Sequence, residues 1–458
     1  MFKERLKGKK IAILGLGREG LDLLRFLSKQ KIKPAGLDAR TPKELGPACK
    51  EIRKLTDKLY LGRSYLKQLD KFDLVFRSPG VPLDLPAVRR AKKQGTKFDS
   101  LTQLFFELCP AKLIGITGTK GKSTVATLIF RLLKNNIAGK VYLGGNIGYP
   151  PLLSLPKMSK KDAVVLELSS FQLEDLVLSP QVAVLLNITP EHMDRHKTFA
   201  RYLDTKSNIF ARQTAKDCLV ASADYPVTRA ALKTARGKIF KYSLRKVLPR
   251  GVYVSNNEII FRHLKTGKRQ MIMKRSDIPL LGEHNLENVL AAISAALLMK
   301  VPAGKIAAKV KRFRALEHRL EEVDTIGPIK FINDSSATTP VATLAAIKAI
   351  PGPIALITGG VSKGEDLAAF AKDLKTKRLK KAVLIGRSAR RLSRYLGKLH
   401  VPCARAKDLS AAVEQARRAV AEGGTVLLAP GFASFDMFKN AYDRGAQFKK
   451  IVQKLTIS

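Results

Sequence analysis

Short apolar runs recur along the whole chain, and each ends in Gly, Ser, Thr or Pro before a stretch long enough for an amphipathic helix. The runs are IAILGLG, LVFRSPG, LIGITG, AVVLELSS, VAVLLNIT, IALITGG, AVLIGR and TVLLAPG. Uninterrupted apolar runs of this kind are typical of parallel strands that are buried on both faces. The pattern therefore predicts an α/β protein whose ligands bind in loops at the carboxyl ends of its strands. Residues 236–274 differ, because short strands and turns alternate there and predict a small antiparallel insertion.

Strand–loop motifs restart at three points along the chain, near Lys10, Lys112 and Ala315. The length of 458 residues also suggests about three domains, at roughly 150 residues each. We therefore predict three domains, which cover residues 1–100, 101–315 and 316–458.

The turn GLGREG at residues 15–20 follows the first predicted strand and precedes the helix-like segment LDLLRFLSKQ. Glycines permit a tight turn, and the N-terminus of the following helix can accept a diphosphate. Asp38 stands after the next strand-like segment, where dinucleotide-binding proteins carry an acidic residue. Taken alone, this turn leaves an NAD-dependent dehydrogenase as an open alternative.

A second nucleotide loop, TGTKGKST at residues 117–124, follows the strand LIGI. It is shorter than the common pattern G-x-x-x-x-G-K-[ST], because Ile116 stands where the first glycine of that pattern belongs. Backbone N–H groups and Lys122 would hold phosphates, while the hydroxyl of Ser123 or Thr124 would meet Mg²⁺. The sequence thus predicts ATP binding here, which a dehydrogenase would leave unexplained.

Further polar groups follow other predicted strands. Glu167 ends the strand AVVLE, where a carboxylate ligand of Mg²⁺ is expected, although a capping or salt-bridged glutamate is an alternative. The segment NITPEHMDRH at residues 187–196 carries His192, which could equally be a hydrogen-bonding group. Residues 331–340 and 356–366 also follow strands and predict substrate loops, with ordinary turns as the alternative.

Composition narrows the class of protein. Lys and Arg number 84 against 38 Asp and Glu, and the net charge of +46 would attract anionic ligands in general. The basic residues are spread along the chain without interleaved aromatics, so we expect no dedicated nucleic-acid binder. The longest apolar run, residues 288–299, is shorter than the roughly 18 residues of a membrane span. Four widely separated cysteines and no secretory signal indicate a cytoplasmic protein with reduced thiols.

The motifs TGTKGKST, LELSSFQLE, NITPEHMDRH, LLGEHNLENVLAA, EHRLE and INDSSATTP resemble those of the Mur ligase family. Among its members, GLGREG, SPGVP, GGNIG and LLAPGFASFDMFKNAYDRGAQF resemble those that add glutamate to UDP-N-acetylmuramoyl-L-alanine. The likeness covers essentially the full length, and the shortened loop is this family's own form of the phosphate loop. It implies a Rossmann-like N-terminal domain, a central P-loop ATPase-like α/β domain and a Rossmann-like C-terminal domain.

The resemblance also implies an activity. ATP would convert the alanyl carboxylate of UDP-N-acetylmuramoyl-L-alanine into an acyl phosphate, which the amine of D-glutamate would attack, in peptidoglycan precursor synthesis. Two Mg²⁺ ions would assist, ATP would lie between the central and third domains, and the protein is expected to be a monomer. L-glutamate as acceptor and a related amino-acid ligase, such as a folylpolyglutamate synthase, stay open as alternatives.

The site residues that the resemblance implies fall into four groups. Nucleotide-sugar binding is assigned to Gly17, Arg18, Glu19, Asp38, Arg40, Ser78 and Asn146. ATP binding is assigned to Gly118, Thr119, Lys120, Gly121, Lys122, Ser123, Thr124, Asn285, Asn288, Arg319 and Asp334. Amino-acid binding is assigned to Thr338, Lys363 and Ser434, and metal binding to Ser123, Glu167, His192 and a carbamylated Lys206. Catalytic roles are expected for Lys122, His192, Lys206 and Lys363.

Three positions depart from the family pattern. The acceptor loop of the family usually reads N-D-S-K-A-T-N, whereas Ser336 replaces its lysine and Thr339 its last asparagine. Ala441 stands where an aromatic residue commonly follows the K-N pair. All three border the expected amino-acid site, and we predict D-glutamate from the family majority.

Overall fold

The computed structural model describes residues 2–148, 151–263 and 265–457. The chain forms two compact units, residues 1–277 with 287–311 and residues 278–286 with 312–458. Every apolar run that predicted a strand is a strand, so the α/β class is confirmed. Within the described residues, no helix is both long and apolar enough to cross a bilayer.

The N-terminal part of the first unit is a five-stranded parallel sheet in the order β3-β2-β1-β4-β5. Its strands are β1 (Ile11–Leu14), β2 (Ala35–Asp38), β3 (Leu59–Leu61), β4 (Leu74–Arg77) and β5 (Lys97–Ser100). Its helices are α1 (Phe2–Leu6), α2 (Arg18–Lys29), α3 (Pro42–Leu45), α4 (Ala48–Leu55), α5 (Pro86–Lys93) and α6 (Leu101–Leu108). Because the strand order reverses between β1 and β4, the loops after these two strands diverge and leave a crevice that can hold a ligand.

The remainder of the first unit is built on a nine-stranded sheet in the order β14-β13-β12-β11-β10-β9-β6-β8-β7. Its strands are β6 (Lys112–Thr117), β7 (Val141–Gly145), β8 (Ala163–Glu167), β9 (Val182–Leu185), β10 (Cys218–Ser222), β11 (Lys238–Ser243), β12 (Gly251–Ser255), β13 (Glu258–Arg262) and β14 (Arg269–Lys274). The accompanying helices are α7 (Lys122–Leu133), α8 (Ser170–Leu173), α9 (Met193–His196), α10 (Phe199–Ala211), α11 (Pro226–Ala231), α12 (Glu283–Leu298) and α13 (Ala303–Lys311). Of the predicted antiparallel insertion at residues 236–274, the pairs β12–β13 and β13–β14 are antiparallel as expected. The prediction is wrong for β11, which lies in the same range but pairs in parallel with β10 and β12 and so continues the main sheet.

One hydrophobic core serves both sheets of the first unit. Leu23 of α2, Phe105 of α6 and Leu166 of β8 all belong to the same buried cluster. The helix α6 brings Phe105 and Leu104 into this core directly after β5, and only residues 109–111 separate it from β6 of the second sheet. This shared packing fixes the two sheets relative to each other.

The second unit is a six-stranded sheet in the order β15-β16-β20-β17-β18-β19, parallel except for the antiparallel edge strand β15. Its strands are β15 (Glu321–Ile326), β16 (Ile329–Asn333), β17 (Ile354–Gly359), β18 (Leu379–Ile385), β19 (Cys403–Arg405) and β20 (Gly424–Leu428). Its helices are α14 (Pro340–Ala349), α15 (Leu367–Asp373), α16 (Ala389–Lys398), α17 (Leu409–Ala419) and α18 (Ala441–Ile457). Short 3₁₀ helices in the chain cover Gly62–Ser64, Leu69–Lys71, Pro151–Lys157, Leu232–Thr234 and Arg275–Asp277.

Candidate active site

The phosphate loop between β6 and α7 depends on a glycine at residue 121. Gly121 has a φ of +86° and precedes the first residue of α7. A Cβ atom there would lie 2.2 Å from Oδ1 of Asn288, so a side chain is excluded by space as well as by backbone conformation. The turn leaves the first N–H groups of the twelve-residue helix α7 without intrahelical acceptors, as a phosphate site requires. Ser123 and Thr124 follow in the first turn of this helix.

Lys122 folds back over the same loop. Its Nζ donates to the carbonyl oxygens of Gly118 at 3.0 Å and Thr119 at 2.9 Å. These acceptors are neutral, so a phosphate oxygen would compete well for the ammonium group. These two hydrogen bonds hold the side chain near the loop.

Two hydrogen bonds and one ion pair connect the loop after β9 to the phosphate loop. Thr119 N donates to Asn187 O at 2.9 Å, and Thr119 Oγ1 donates to Thr189 O at 3.0 Å. Lys120 and Glu191 form an ion pair across the same two loops. Since β6 lies next to β9 in the sheet, the two loops meet at its carboxyl edge, as the sequence predicted.

Lys206 is buried on α10, with 1% of the residue exposed. Its Nζ donates to Gly118 O at 2.9 Å and lies 4.8 Å from the centre of the Tyr202 ring. Burial, together with the nearby positive charge of Lys122, lowers the pKa of Lys206 to about 7. The neutral amine is therefore populated near neutral pH, which a surface lysine would not allow.

Glu167 offers an unfilled acceptor at the end of β8. The residue is 2% exposed, its Oε1 accepts from Asn146 Nδ2 at 3.3 Å, and its buried Oε2 has no hydrogen-bond partner among the described residues. Such an orphaned carboxylate oxygen fits a bound cation, because an unpaired buried charge is costly. No group of three His, Cys, Asp or Glu side chains that could hold a metal occurs in the described parts of the chain.

The backbone of His192 is in the left-handed region, with φ +58° and ψ +40°. Its ring lies 4.9 Å from that of Phe171, which stacks on the buried His196 at 5.6 Å. Partial burial is the main cause that lowers the pKa of His192, so the neutral imidazole that a metal needs is favoured. Sequence reasoning missed His196, whose Nε2 is 3.0 Å from Ser170 Oγ and which supports the Phe171 ring.

The other side of the site comes from the first sheet. Arg18 and Glu19 begin α2 after β1, and Ser78 follows the adjacent strand β4. Glu19 Oε1 accepts from Gln172 Nε2 at 2.7 Å, whereas its buried Oε2 has no partner among the described residues. Burial raises the pKa of Glu19 to about 7.

A cavity of about 480 Å³ joins these parts. Of the residues predicted from the sequence, its lining includes Arg18, Glu19, Ser78, Lys122, Asn146, His192 and Lys206. The lining also contains Phe105, Phe171, Gln172 and Tyr202, which were not predicted from any sequence motif. The structure therefore brings four of the predicted nucleotide-sugar residues into one cavity with Lys122, His192 and Lys206, whereas Ser123 and Glu167 are not among the lining residues.

Asp38 and Arg40 form an ion pair next to the glycine turn, and neither residue lines the cavity. The Asp38 carboxylate accepts from Leu16 N at 2.6 Å and from Arg40 Nε and Nη2 at 2.9 and 2.8 Å. Gly17 belongs to this turn, and a Cβ there would meet open space. These three predicted residues are not in the cavity lining, and Asp38 holds the turn through its backbone.

Arg77 was also missed, and it connects the two sheets of the first unit. The guanidinium is fully buried and donates to Asp175 Oδ2 at 2.9 Å from Nε and 2.8 Å from Nη2. A further N–H donates to Val81 O at 2.6 Å, and Glu174 lies 3.4 Å away. Arg77 thereby fixes the loop that carries Ser78 against the segment after α8.

The predicted residues of the second unit lie in loops at the carboxyl ends of neighbouring strands. Thr338 follows β16, Ser434 follows β20, and Lys363 follows β17. Backbone hydrogen bonds join these loops, from Gly431 N to Ala337 O at 2.7 Å and from Val361 N to Ala433 O at 2.8 Å. The three residues therefore belong to one connected set of loops.

Asp334 and Arg319 lie close together in the second unit. Leu320 N donates to Asp334 Oδ1 at 3.2 Å, and burial raises the pKa of Asp334 to about 6, against the opposing effect of the Arg319 charge. Asn285 belongs to the second unit and donates to Leu281 O at 2.8 Å, whereas Asn288 belongs to the first unit beside Gly121.

Three family descriptions match successive parts of this chain. Residues 9–98 match the Mur ligase MurD-like N-terminal domain, residues 116–296 the Mur ligase middle domain, and residues 318–432 the Mur ligase glutamate ligase domain. Together they cover most of the sequence, in the order that the motifs predicted.

Similar proteins cover the chain from end to end. The UDP-N-acetylmuramoylalanine–D-glutamate ligase of Acetivibrio thermocellus is 38% identical over 462 residues, which span 99% of this chain and 98% of that protein. The enzyme of the same name from Symbiobacterium thermophilum is 37% identical over 454 residues, 98% of each chain.

Solved structures extend the likeness to the fold. MurF from Acinetobacter baumannii superimposes with a TM-score of 0.62 at 16% identity, over 98% of this chain and 93% of that one. MurC from Thermotoga maritima gives 0.58 at 16% identity, over 98% of this chain and 100% of that one. At such identities the likeness concerns the fold alone.

Proposed function

Since this chain belongs to the Mur ligase family, we propose that it joins D-glutamate to the alanyl carboxylate of UDP-N-acetylmuramoyl-L-alanine at the expense of ATP. The reaction is a step in the synthesis of peptidoglycan precursors, and the enzyme is an ADP-forming ligase. The observation that carries the proposal is the 480 Å³ cavity, in which Arg18, Ser78 and Asn146 face Lys122 and Lys206. The relatives of that name, alike over the full length, support the same substrates.

The chemistry requires activation, because a carboxylate does not condense with an amine at neutral pH. An alanyl carboxylate oxygen attacks the γ-phosphorus of ATP, the bond to the β-phosphate oxygen breaks, and ADP leaves. The amine of glutamate then attacks the carbonyl carbon, loses a proton, and the tetrahedral intermediate expels phosphate. Lys122 would move from the carbonyl groups of its own loop to the transferred phosphoryl group and neutralise its charge.

Two Mg²⁺ ions fit the donors of this site. Ser123, Glu167, His192 and a carbamylated Lys206 would hold them, and Mg²⁺ bound there would neutralise charge on the phosphate oxygens. The support comes from the unpartnered Glu167 oxygen and from the neutral imidazole favoured at His192. Hydroxyl, carboxylate and imidazole together make a mixed donor set that leaves room for substrate phosphates.

We propose carbamylation of Lys206 because its buried amine loses its proton near neutral pH. The amine would add to CO₂, form a C–N bond and release one proton, which yields a carboxylate. A 13C-labelled bicarbonate experiment should give a carbamate signal that is absent from Lys206→Arg. An unchanged spectrum of the folded wild-type protein would contradict the modification.

The second unit supplies the remaining predicted contacts. Arg319, Asp334 and Asn285 are proposed to contact ATP, together with Asn288 of the first unit. Thr338, Lys363 and Ser434 are proposed to hold the amino acid, with Lys363 pairing a carboxylate. We also propose domain boundaries near residues 100 and 315 and a monomeric state. A cytoplasmic location is proposed as well, and it is supported by the four cysteines, which are all free thiols.

The amino-acid acceptor is the part that most needs a direct test. Purified protein with ATP, Mg²⁺ and UDP-N-acetylmuramoyl-L-alanine should release phosphate with D-glutamate and much less with other D- and L-amino acids. A preference for L-glutamate would overturn the acceptor, and no ADP with any amino acid would overturn the ligase reaction. The variant Lys122→Ala serves as the inactive control.

A further inference from the structure

The side chain of Arg444 in α18 is fully buried among backbone and hydroxyl acceptors. The residue is 0% exposed, and its Nε donates to Ser335 Oγ at 3.0 Å. Its Nη2 donates to Ser335 O at 3.0 Å, and its Nη1 donates to Phe432 O at 3.3 Å. One guanidinium therefore holds two separate loops, at Ser335 and at Phe432.

These two loops are the ones that carry predicted amino-acid contacts. Ser335 lies three residues before Thr338 in the loop after β16, and Phe432 lies two residues before Ser434 in the loop after β20. Ser335 Oγ also donates to Ala441 O at 2.7 Å, so the start of α18 is fastened to the first loop as well. The planar fork of arginine suits this task, because its five N–H donors have fixed directions.

The charge of Arg444 is not neutralised by a close carboxylate. Among the described residues no carboxylate oxygen lies within ion-pair distance, although Asp436 is near enough to oppose the effect of burial on its pKa. Burial lowers the pKa of Arg444 to about 10, so the group is still a cation at neutral pH. A buried cation without an ion pair is costly unless an anion compensates it. The anion that this site would bind is the acidic amino acid.

We propose that Arg444 is a positioning residue for the acceptor, which sets the distance between the loops of Thr338 and Ser434 and adds positive potential at the carboxylates of the incoming glutamate. This inference rests on the proposed function, since it concerns the same amino-acid site. It predicts that Arg444 affects the binding of the acceptor far more than the binding of ATP or of the nucleotide sugar.

The test compares three variants with one control. Arg444→Met removes both the guanidinium N–H donors and the charge, whereas Arg444→Lys keeps the charge but not the planar set of donors. Ser335→Ala removes the hydroxyl that accepts a hydrogen bond from Arg444 and donates one to Ala441. Lys450→Met is the matched control, because it removes an exposed charge from the same helix. Folding is checked by circular dichroism, and KM for each of the three substrates is measured separately.

We expect KM for the amino acid to rise about tenfold or more in Arg444→Met and by a smaller factor in Arg444→Lys and Ser335→Ala. KM for ATP and for the nucleotide sugar should stay within about twofold, and Lys450→Met should match the wild type. If Arg444→Met does not fold, the other two variants carry the comparison.

Two results would overturn the inference: an unchanged amino-acid KM in the folded variants, or an equal rise in all three KM values. The wild-type protein is first assayed with the full panel of amino acids, and the variants are then measured with the one it uses. A wrong acceptor therefore contradicts the proposed function alone, whereas an unaltered acceptor KM contradicts the role of Arg444.

Discussion

The glycine turn at residues 15–20 and the phosphate loop at residues 117–124 share one plan, since each follows a central parallel strand and opens a twelve-residue helix. Their polar side chains differ in what they already bind. At the first turn, Asp38 is occupied by Leu16 N and by Arg40. At the second loop, Lys122 donates to the carbonyl oxygens of Gly118 and Thr119, and Lys206 donates to the carbonyl oxygen of Gly118 and the hydroxyl of Thr117.

The first turn can therefore bind a ligand through its backbone N–H groups, whereas the second loop can also use the ammonium groups of its lysines. In the first turn the approach of Gly20 to Gly15 is so close that a Cβ on Gly20 would lie 2.1 Å from Gly15 O. The open space at Gly17 then leaves the start of α2 accessible to a diphosphate. In the second loop, cations with weak neutral partners can be transferred to a reacting phosphate at little cost. Under the proposed function, the same local plan would serve substrate binding at the first turn and phosphoryl transfer at the second loop.

The largest effect is expected from Lys122→Ala. Removing the ammonium group that would neutralise the transferred phosphoryl group should lower kcat by about 10²–10³-fold or more. Lys120→Ala is the comparison, because that side chain is 63% exposed and already paired with Glu191, so the loss should be smaller. Steady-state release of ADP measures both, with thermal unfolding to show that each variant is folded. Near-normal turnover by Lys122→Ala would refute the assigned role of the second loop.

A smaller and different effect is expected from Asp38→Ala. It removes the acceptor of Leu16 N and the partner of Arg40, so the free energy of unfolding should fall by about 1–3 kcal/mol. KM for the nucleotide sugar should rise several-fold, while KM for ATP stays the same. Arg40→Met leaves the Leu16 hydrogen bond intact and should cost less stability in urea titrations. If Arg40→Met raises the nucleotide-sugar KM more than Asp38→Ala does, then Arg40 contacts the substrate and the turn is not organised by Asp38 alone.

The smallest effect is a pH dependence at Glu19. Its pKa is raised from 4.5 to about 7 by burial, against weaker opposing effects of Gln172, Arg18 and Arg77. The folded protein holds this proton more tightly than the unfolded chain, so the associated stability is present below pH 4.5 and is lost as the pH rises towards 7. Glu19→Gln cannot titrate, and its Tm relative to wild type should rise between pH 5 and pH 8 by a few degrees, on the order of 2–4 °C. Glu422→Gln, which changes an exposed carboxylate, is the control, and a flat difference for Glu19→Gln would contradict the shift.

Much of the fold was predictable from local pattern. Parallel strands buried on both faces appear as apolar runs, and the loops that follow them must gather at one edge of a sheet. The phosphate loop could be placed for this reason, and β6 and β9 do bring Thr119 and Asn187 together. The resemblance to a family added Lys206 and Ser434, which no pattern of spacing would have selected.

Other members of the site had no signal in the sequence. Arg77 and Arg444 are two arginines among 84 basic residues, yet each is fully buried and holds two segments together. Their partners are far away in sequence, for example Asp175 for Arg77 and Ser335 for Arg444. His196 of α9 likewise owes its place to packing against Phe171 of α8 and Tyr202 of α10.

The sequence by itself determined which elements form and where phosphate-binding turns begin, because strand periodicity, glycine and helix starts are local properties of the chain. Only the tertiary structure decided which ionisable side chains are desolvated by burial. Lys206, Glu19 and Arg444 have ordinary side chains, and burial by distant segments is the largest cause of the shift in each pKa. Desolvation depends on everything that packs around a group, so no stretch of sequence around it can specify it.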